Sequence, residues 1–329
     1  VSSNSAKTSL HIPVMLSQIH QFLDPCFQRQ SSGEIRYFDG TFGRGGHLGS
    51  LLLRHPKLQA VAFDRDPQAI AYAKGHFAAE IEQGRLQLEQ KNYSQFSPQE
   101  GFFDGMLIDL GVSSPQLDQA ERGFSFYHQG PLDMRMDLRQ DLTAAQILNT
   151  WEEEDLLEMF RTLGEVPKPY RVVQEVLRIR QQKALATTTE LAQLIERTDG
   201  WQKKGHHPAT QYFMGLRLAV NAELPSLELA LRPLLLGLKP RGRLAVLTFH
   251  SLEDRIVKNV FKTASDLGAP LLKNVLAPEP DELKMNPRSR SAKLRVFERE
   301  DPSLQSEPPR PGMKPRRQKR WRPDEDGSQ

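Results

Sequence analysis

The stretch Tyr37-Phe-Asp-Gly-Thr-Phe-Gly-Arg-Gly-Gly-His-Leu-Gly-Ser50 constrains this chain more than any other. Ile35 to Phe38 reads as a short buried strand that stops at Asp39. A turn follows with Gly40, Gly43, Gly45 and Gly46, and then a helix through Leu51, Leu52 and Leu53. Strand, tight glycine turn and helix make a ligand cradle, because glycine lets a ligand approach the backbone and the first helical N–H groups face an anionic group. A dinucleotide fingerprint, G-x-G-x-x-G, is not met, since counting from Gly43 and Gly45 the third glycine falls on Leu48.

The pattern then repeats. Leu58 to Phe63 is a second buried strand ending at Asp64, and a helix opens after Asp66 and Pro67. An acid at the end of that strand, about 20 residues beyond the turn, suits two ribose hydroxyls. Asp66 reads as the cap of the next helix, so Asp64 is the ligand candidate. A third strand lies at Arg85 to Gln90, and Tyr93 beyond it either borders an adenine or packs in the core. The fourth strand, from Phe103, ends at Asp109 beside the cradle. Strands alternating with helices, with acids at three strand ends, predict a doubly wound α/β sheet.

From Ser113 to about Pro208 no strand is expected. Capping-box spacings at Thr143/Gln146, Thr150/Glu153 and Thr187/Glu190 predict helices instead. The long loop from Glu121 to Asp137, rich in aromatics and methionine, is expected to be a lid. Helices are also expected over Leu10 to Asp24, ended by Pro25, over Gln211 to Leu224, closed by Pro225, and over Leu227 to Leu238. Lys239-Pro-Arg-Gly-Arg is a turn into strand five, Leu244 to Phe249. His250 follows at that strand's end, as a structural residue or a base, with Ser251 and Asp254 spaced to cap a helix. A basic loop carrying Arg288 and Arg290 precedes a last edge strand, Lys293 to Phe297. The run from Arg310 to Arg322 holds seven Lys and Arg, no acid, and Trp321, a composition for tracking phosphates or for a disordered tail.

The chain has one cysteine, Cys26, so an internal disulfide framework is excluded and a reducing compartment is expected. No window reaches the ~18 apolar residues that span a bilayer, and the first residues, Val-Ser-Ser-Asn-Ser-Ala-Lys-Thr, carry no apolar signal core. A cytoplasmic protein without a membrane partner is expected, and no metal site.

An acid at the strand end followed by Gly43-x-Gly45-Gly46 resembles the S-adenosylmethionine turn of Rossmann-like methyltransferases. Longer strings narrow the likeness. Asp39-Gly-Thr-Phe-Gly-Arg-Gly-Gly-His, Asp64-Arg-Asp-Pro-Gln-Ala-Ile and Asp109-Leu-Gly-Val-Ser-Ser-Pro-Gln-Leu-Asp closely resemble the bacterial small-subunit rRNA cytosine N4-methyltransferases, the MraW/RsmH family. So do Gly130-Pro-Leu-Asp-Met-Arg-Met-Asp, His207-Pro-Ala-Thr and Phe249-His-Ser-Leu-Glu-Asp-Arg. The resemblance runs from His11 to about Glu298.

It implies a class I (Rossmann-like) methyltransferase sheet with an inserted all-helical domain. The expected division is 1–117 and 209–300 for the methyltransferase domain, 118–208 for the lid loop and helical substrate domain, and 301–329 for a disordered basic tail. The implied reaction is S-adenosylmethionine-dependent N4-methylation of a decoding-site cytidine in 16S rRNA, within a 30S subunit or late assembly particle. Carried over by position, the cofactor contacts are Gly45, Gly46, His47, Asp64, Tyr93, Asp109 and Gln116. Asp109 is the expected proton acceptor, with Asp133, Asp137 and His250 as alternatives, and Arg135, Arg288 and Arg290 are candidates for phosphates. A non-catalytic rRNA-binding assembly factor, or an NAD-dependent oxidoreductase on a similar sheet, are the competing readings.

Overall fold

The computed structural model describes residues 13–29, 33–97, 99–201 and 207–304. His11 and the basic run from Arg310 to Arg322 lie outside the described residues. Seven strands form one sheet: β1 (Ile35–Asp39), β2 (Leu58–Phe63), β3 (Leu86–Glu89), β4 (Phe103–Asp109), β5 (Leu238–Thr248), β6 (Gly268–Pro270) and β7 (Lys293–Arg299). Their order is β3-β2-β1-β4-β5-β7-β6. β1 to β5 pair in parallel, while β7 runs antiparallel to both β5 and β6. The ends of β1 and β4 therefore stand side by side, where the chain reverses its direction of winding and an open α/β sheet leaves a crevice.

Alternation along the central strands sends side chains to two separate cores. Tyr37, Leu107, Ala245 and Leu247 pack against the Leu16–Gln28 and Gly46–Arg54 helices on one face. Phe38, Met106, Ile108, Leu244 and Val246 pack on the other, under the Glu223–Gly237 and Ser251–Thr263 helices. Both faces are covered, which is why β4 is buried almost end to end.

A third core belongs to the helical insertion. The helices Ala144–Thr150, Glu153–Thr162, Tyr170–Arg180, Thr188–Asp199 and Ala209–Val220 bury Leu148, Phe160, Val173, Leu194 and Leu216 against one another. This cluster reaches Val220, past the expected boundary at Pro208. The Thr143/Gln146 and Thr187/Glu190 capping boxes form. Thr150/Glu153 does not: Thr150 spends its hydroxyl on the Gln146 carbonyl, and the next helix starts from Glu152.

Several local expectations yield to packing. Pro25 sits inside the Leu16–Gln28 helix rather than ending it, because Phe22, Leu23, Cys26 and Phe27 form one continuous buried face. Pro225 lies in the first turn of the Glu223–Gly237 helix, where its missing N–H costs nothing. The turn at Lys239 to Gly242 is absorbed into β5 as a register shift against β4. β7 is not the edge strand, since β6 covers its outer side.

The loop expected to be a lid is packed in this structure as a strap. Phe124, Leu132, Met134 and Met136 are buried in the helical core, while Tyr127 to Gln129 form an exposed tip. The strap is closed by contacts too tight for a side chain, for a Cβ on Gly130 would stand 1.7 Å from the Ala120 carbonyl oxygen. Gly130→Ala is expected to destabilise the fold by about 1–3 kcal/mol or more, read as a lower urea midpoint, because backbone rather than a movable side chain opposes the methyl group. A midpoint equal to the parent's contradicts this packing.

Candidate active site

Three carboxylates close β1, β2 and β4 around the glycine turn. Asp39 is buried and accepts the Thr41 N–H at 3.1 Å. The Thr41 hydroxyl accepts the Asp109 N–H at 2.6 Å, which stitches the end of β4 to the turn. Asp64 Oδ2 accepts the Gly43 N–H at 2.7 Å, and its Oδ1 accepts the Asp66 N–H at 2.8 Å. One carboxylate thus shapes both the glycine turn and the start of the Pro67–His76 helix.

Gly43 and Gly45 have φ of 56° and 68°, the left-handed region that a side chain disfavours. Their surroundings differ. A Cβ on Gly45 would stand 2.6 Å from the Phe42 and Phe77 rings, whereas one on Gly43 would meet nothing closer than the Thr41 oxygen at 4.0 Å. Gly45 is small for the protein's own packing, and Gly43 leaves the open side of the cradle.

His47 projects from the first turn of the Gly46–Arg54 helix and is buried. Its Nε2 lies 3.6 Å from Asp109 Oδ2. Neither ring nitrogen of His47, nor Asp109 Oδ1, has a hydrogen-bond partner among the described residues, although all three atoms are buried. Each such atom costs about 1–3 kcal/mol, so their grouping at one glycine turn marks a place for polar groups of a ligand. Burial, against the Thr41 N–H, pushes the Asp39 carboxyl up to about 7. Burial likewise pushes Asp64 up to about 6, against the Asp66 and Gly43 N–H groups. Both acids sit where a cation or a hydrogen-bond donor would restore their charge.

The remaining candidates separate into two groups. Tyr93 is buried beside the cradle, its Cβ within 3.0 Å of where a Gly40 Cβ would be, with its ring in the sheet core. Gln116 is also buried, and its amide is engaged at both ends: Nε2 donates to Asp66 Oδ2 at 2.7 Å and Oε1 accepts the Ser113 N–H. Asp133 is tied to Arg135 by two bonds of 2.8 Å. Burial opposes its ionisation, but that guanidinium carries the carboxyl below the ordinary range. Arg139 does the same for Asp137. His250 Nε2 lies 3.0 Å from the buried Glu253 carboxylate, which also accepts the Phe249 N–H; the helix is therefore capped from His250 and Glu253, not from Ser251 and Asp254. Arg288 is exposed and paired with Asp118 at 2.6 Å, and Arg290 is exposed.

Arg122 and Asn221, which the sequence did not single out, join Asp66 and Gln116 in holding the site to the insertion. Asp66 Oδ2 receives both Gln116 and, at 2.9 Å, the buried Arg122 guanidinium. Arg122 also donates to the Arg135 and Met136 carbonyls of the strap. Asn221 accepts the Met136 N–H and donates to the Met134 carbonyl, while its own carbonyl accepts from Arg65. In the sequence the signal was the long loop itself, and the buried partner of its arginine was invisible.

The family described as the MraW methylase family matches residues 8–300. A protein of Bdellovibrio bacteriovorus named ribosomal RNA small subunit methyltransferase H is 52% identical over 290 residues, covering 88% of this chain and 88% of that protein. A protein of the same name from Gloeothece citriformis is 42% identical over 303 residues, covering 92% of this chain and 98% of its own.

Two outcomes follow from the geometry. Because Asp39 and Asp64 titrate higher when folded, the folded chain holds protons that the unfolded chain has already released between about pH 4 and about pH 7. Stability of the ligand-free protein is therefore expected to fall as pH rises through that window, and Asp39→Asn, uncharged throughout, is expected to flatten the slope of unfolding free energy against pH. Arg122→Ala is expected to cost about 3–5 kcal/mol, since it leaves Asp66 as a buried charge without its counter-ion. A loss below about 1 kcal/mol in urea denaturation contradicts that account.

Proposed function

The chain belongs to the MraW methylase family and is an S-adenosylmethionine-dependent methyltransferase; we propose that it methylates the exocyclic N4 of a cytidine at the decoding site of 16S rRNA. The name shared by its relatives, ribosomal RNA small subunit methyltransferase H, supports the RNA class. In the same proposal the enzyme works in the cytoplasm on a 30S subunit or late assembly particle. No helix among the described residues is long and apolar enough to cross a membrane. The buried helical cluster between Phe124 and Val220 supports a division into a sheet domain and an RNA-facing helical domain.

The observation that carries the site reading is the set of unpartnered buried atoms on His47 and Asp109 beside the glycine turn. The residues present fit S-adenosylmethionine. Asp64 is placed to accept ribose hydroxyls with the lone pairs its two backbone bonds leave over. Asp39, inclined to hold a proton when alone, suits a cationic neighbour, and the open side of Gly43 suits close approach. Tyr93 borders the adenine side only through its Cβ beside Gly40, its ring being packed in the core; Gly45 and Gly46 form the turn; Gln116 acts by holding Asp66. When bound, the cofactor supplies an electrophilic methyl group on a positively charged sulfur.

The protein's own work is then alignment and proton removal. The cytosine amine is a weak nucleophile because its lone pair is delocalised into the ring, so positioning, which can supply about 7–11 kcal/mol, is the main contribution. As the N–C bond forms, the amine must give up a proton. Asp109 Oδ1, buried and without a partner, is the acceptor we assign. Asp133 and Asp137 are held by Arg135 and Arg139, so each would have to give up an existing contact, whereas His250, its ring nitrogens also buried without a hydrogen-bond partner, stands 3.0 Å from Glu253 at the end of β5 rather than beside the glycine turn. The target base must leave its stack to present this amine, as in other enzymes that modify bases.

Asp109→Asn is expected to slow methyl transfer about 10²–10⁴-fold, read as radiolabel moved from S-adenosylmethionine to small-subunit rRNA in a single turnover. Transfer at the parental rate would discard Asp109 as acceptor. Cofactor affinity is expected to rise with pH up to about 7, with protons released on binding, because a cation and hydrogen-bond donors favour the ionised forms of Asp39 and Asp64. Calorimetry in buffers of different ionisation heat measures that release; a heat independent of buffer would count against it.

A further inference from the structure

Between the helical insertion and the sheet lies a cleft of about 540 Å³ that none of the residues assigned above lines. One wall is the end of the Glu153–Thr162 helix, with Arg161, and the turn Glu165-Val166-Pro167. The other is the first turns of the Ser251–Thr263 helix, with Leu252 and Arg255. Arg161 and Arg255 are both exposed, and neither makes a hydrogen bond or ion pair with any described residue. Many other arginines behave otherwise: Arg122, Arg135, Arg139, Arg178, Arg217, Arg232, Arg243 and Arg288 are each bound to a carboxylate.

The acid in the cleft does not neutralise them. Glu165 Oε2 accepts the Ser251 hydroxyl at 2.5 Å, so it ties one wall to the other and takes neither guanidinium. The turn that carries it is rigid. Glu165 has φ of 51°, a strained value for a side-chain residue. Its carbonyl accepts from Gln211 at 3.0 Å, and a Cβ on the preceding Gly164 would stand 2.7 Å from the Phe160 carbonyl. The cleft is thus preformed, and its two free cations face a space large enough for a nucleotide.

Its place relates it to the reaction. Ser251 follows His250 at the end of β5, and β5 pairs with β4 so that Leu247 stands opposite Asp109. The cleft therefore opens from the same sheet rim as the acceptor. Building on the RNA methyltransferase reading above, we infer that it seats the sugar–phosphate backbone flanking the target nucleotide, with Arg161 and Arg255 on its phosphates. The planar guanidinium matches phosphate oxygens in pairs. Lys258, exposed one turn beyond Arg255, extends the cationic edge. A base drawn out of its stack needs its flanks held, and two anchors across one cleft provide that.

The test compares the full chain with the double variant Arg161→Ala/Arg255→Ala in binding to a labelled small-subunit rRNA fragment, by fluorescence anisotropy over a salt series. The double variant is expected to bind at least about tenfold more weakly, with the slope of log affinity against log salt reduced by about one to two, since each lost phosphate contact removes about 0.7–0.9. In methyl transfer the KM for RNA should rise while kcat at saturating RNA and the affinity for S-adenosylmethionine stay as in the parent. Arg161→Lys/Arg255→Lys should restore the salt slope, and Arg178→Ala/Arg232→Ala, which removes equal charge elsewhere, should leave it unchanged. Equal RNA affinity and salt slope in parent and double variant overturn the cleft assignment and leave the reaction standing. A parent that binds the RNA through these arginines but transfers no methyl group overturns the reaction and leaves the cleft.

Discussion

The ion pair between Asp66 and Arg122 holds the two halves of this molecule in register. Asp66 caps the Pro67–His76 helix, and its own N–H fixes Asp64, which in turn fixes the glycine turn. Arg122 reaches from the other side to the carbonyls of Arg135 and Met136, and Asn221 grips the same strap from the end of the Ala209–Val220 helix. Both members of the pair are buried, so neither can trade its partner for water. An ion pair of this kind adds little to net stability but penalises any arrangement that separates it. The insertion is thereby seated on the sheet in a defined orientation, and with it the wall that carries Arg161.

The site is built at the opposite extreme of satisfaction. While Asp66, Gln116 and Arg122 bind one another, His47 and Asp109 retain buried atoms without partners, and Asp39 and Asp64 are held above the ordinary carboxylate range. The contrast is economical in its physics. Filled shells make the scaffold rigid, and unfilled groups at its centre give a ligand interactions that water does not already satisfy.

Much of this was legible in the residues. Asp39, Asp64 and Asp109 were placed correctly because an apolar run that ends on an acid is a local pattern, and the strand order then brings the three ends together. The capping boxes at Thr143 and Thr187 were legible for the same reason. What escaped was non-local or ambiguous by one residue. Arg122 and Asp66 are 56 residues apart; alone, Asp66 reads as a helix cap and Arg122 as an ordinary surface charge. Ser251/Asp254 and His250/Glu253 offer the same spacing one position apart, and only the buried Glu253 decides between them. Pro25 followed the burial of its neighbours, because a continuous apolar face outweighs one missing hydrogen bond. The packing of the strap from Phe124 to Met136 into the helical core is not legible in its composition, since methionines suit a mobile cover as well as a core.

The margin of the sheet has one more effect. Among the described residues, β7 is followed at the sheet edge by Gly268–Pro270 alone, three residues long, whose proline has no N–H to offer. A foreign chain seeking to lengthen the sheet from that side finds almost no ladder to copy. That edge of the sheet thus resists strand-by-strand polymerisation with copies of the same chain.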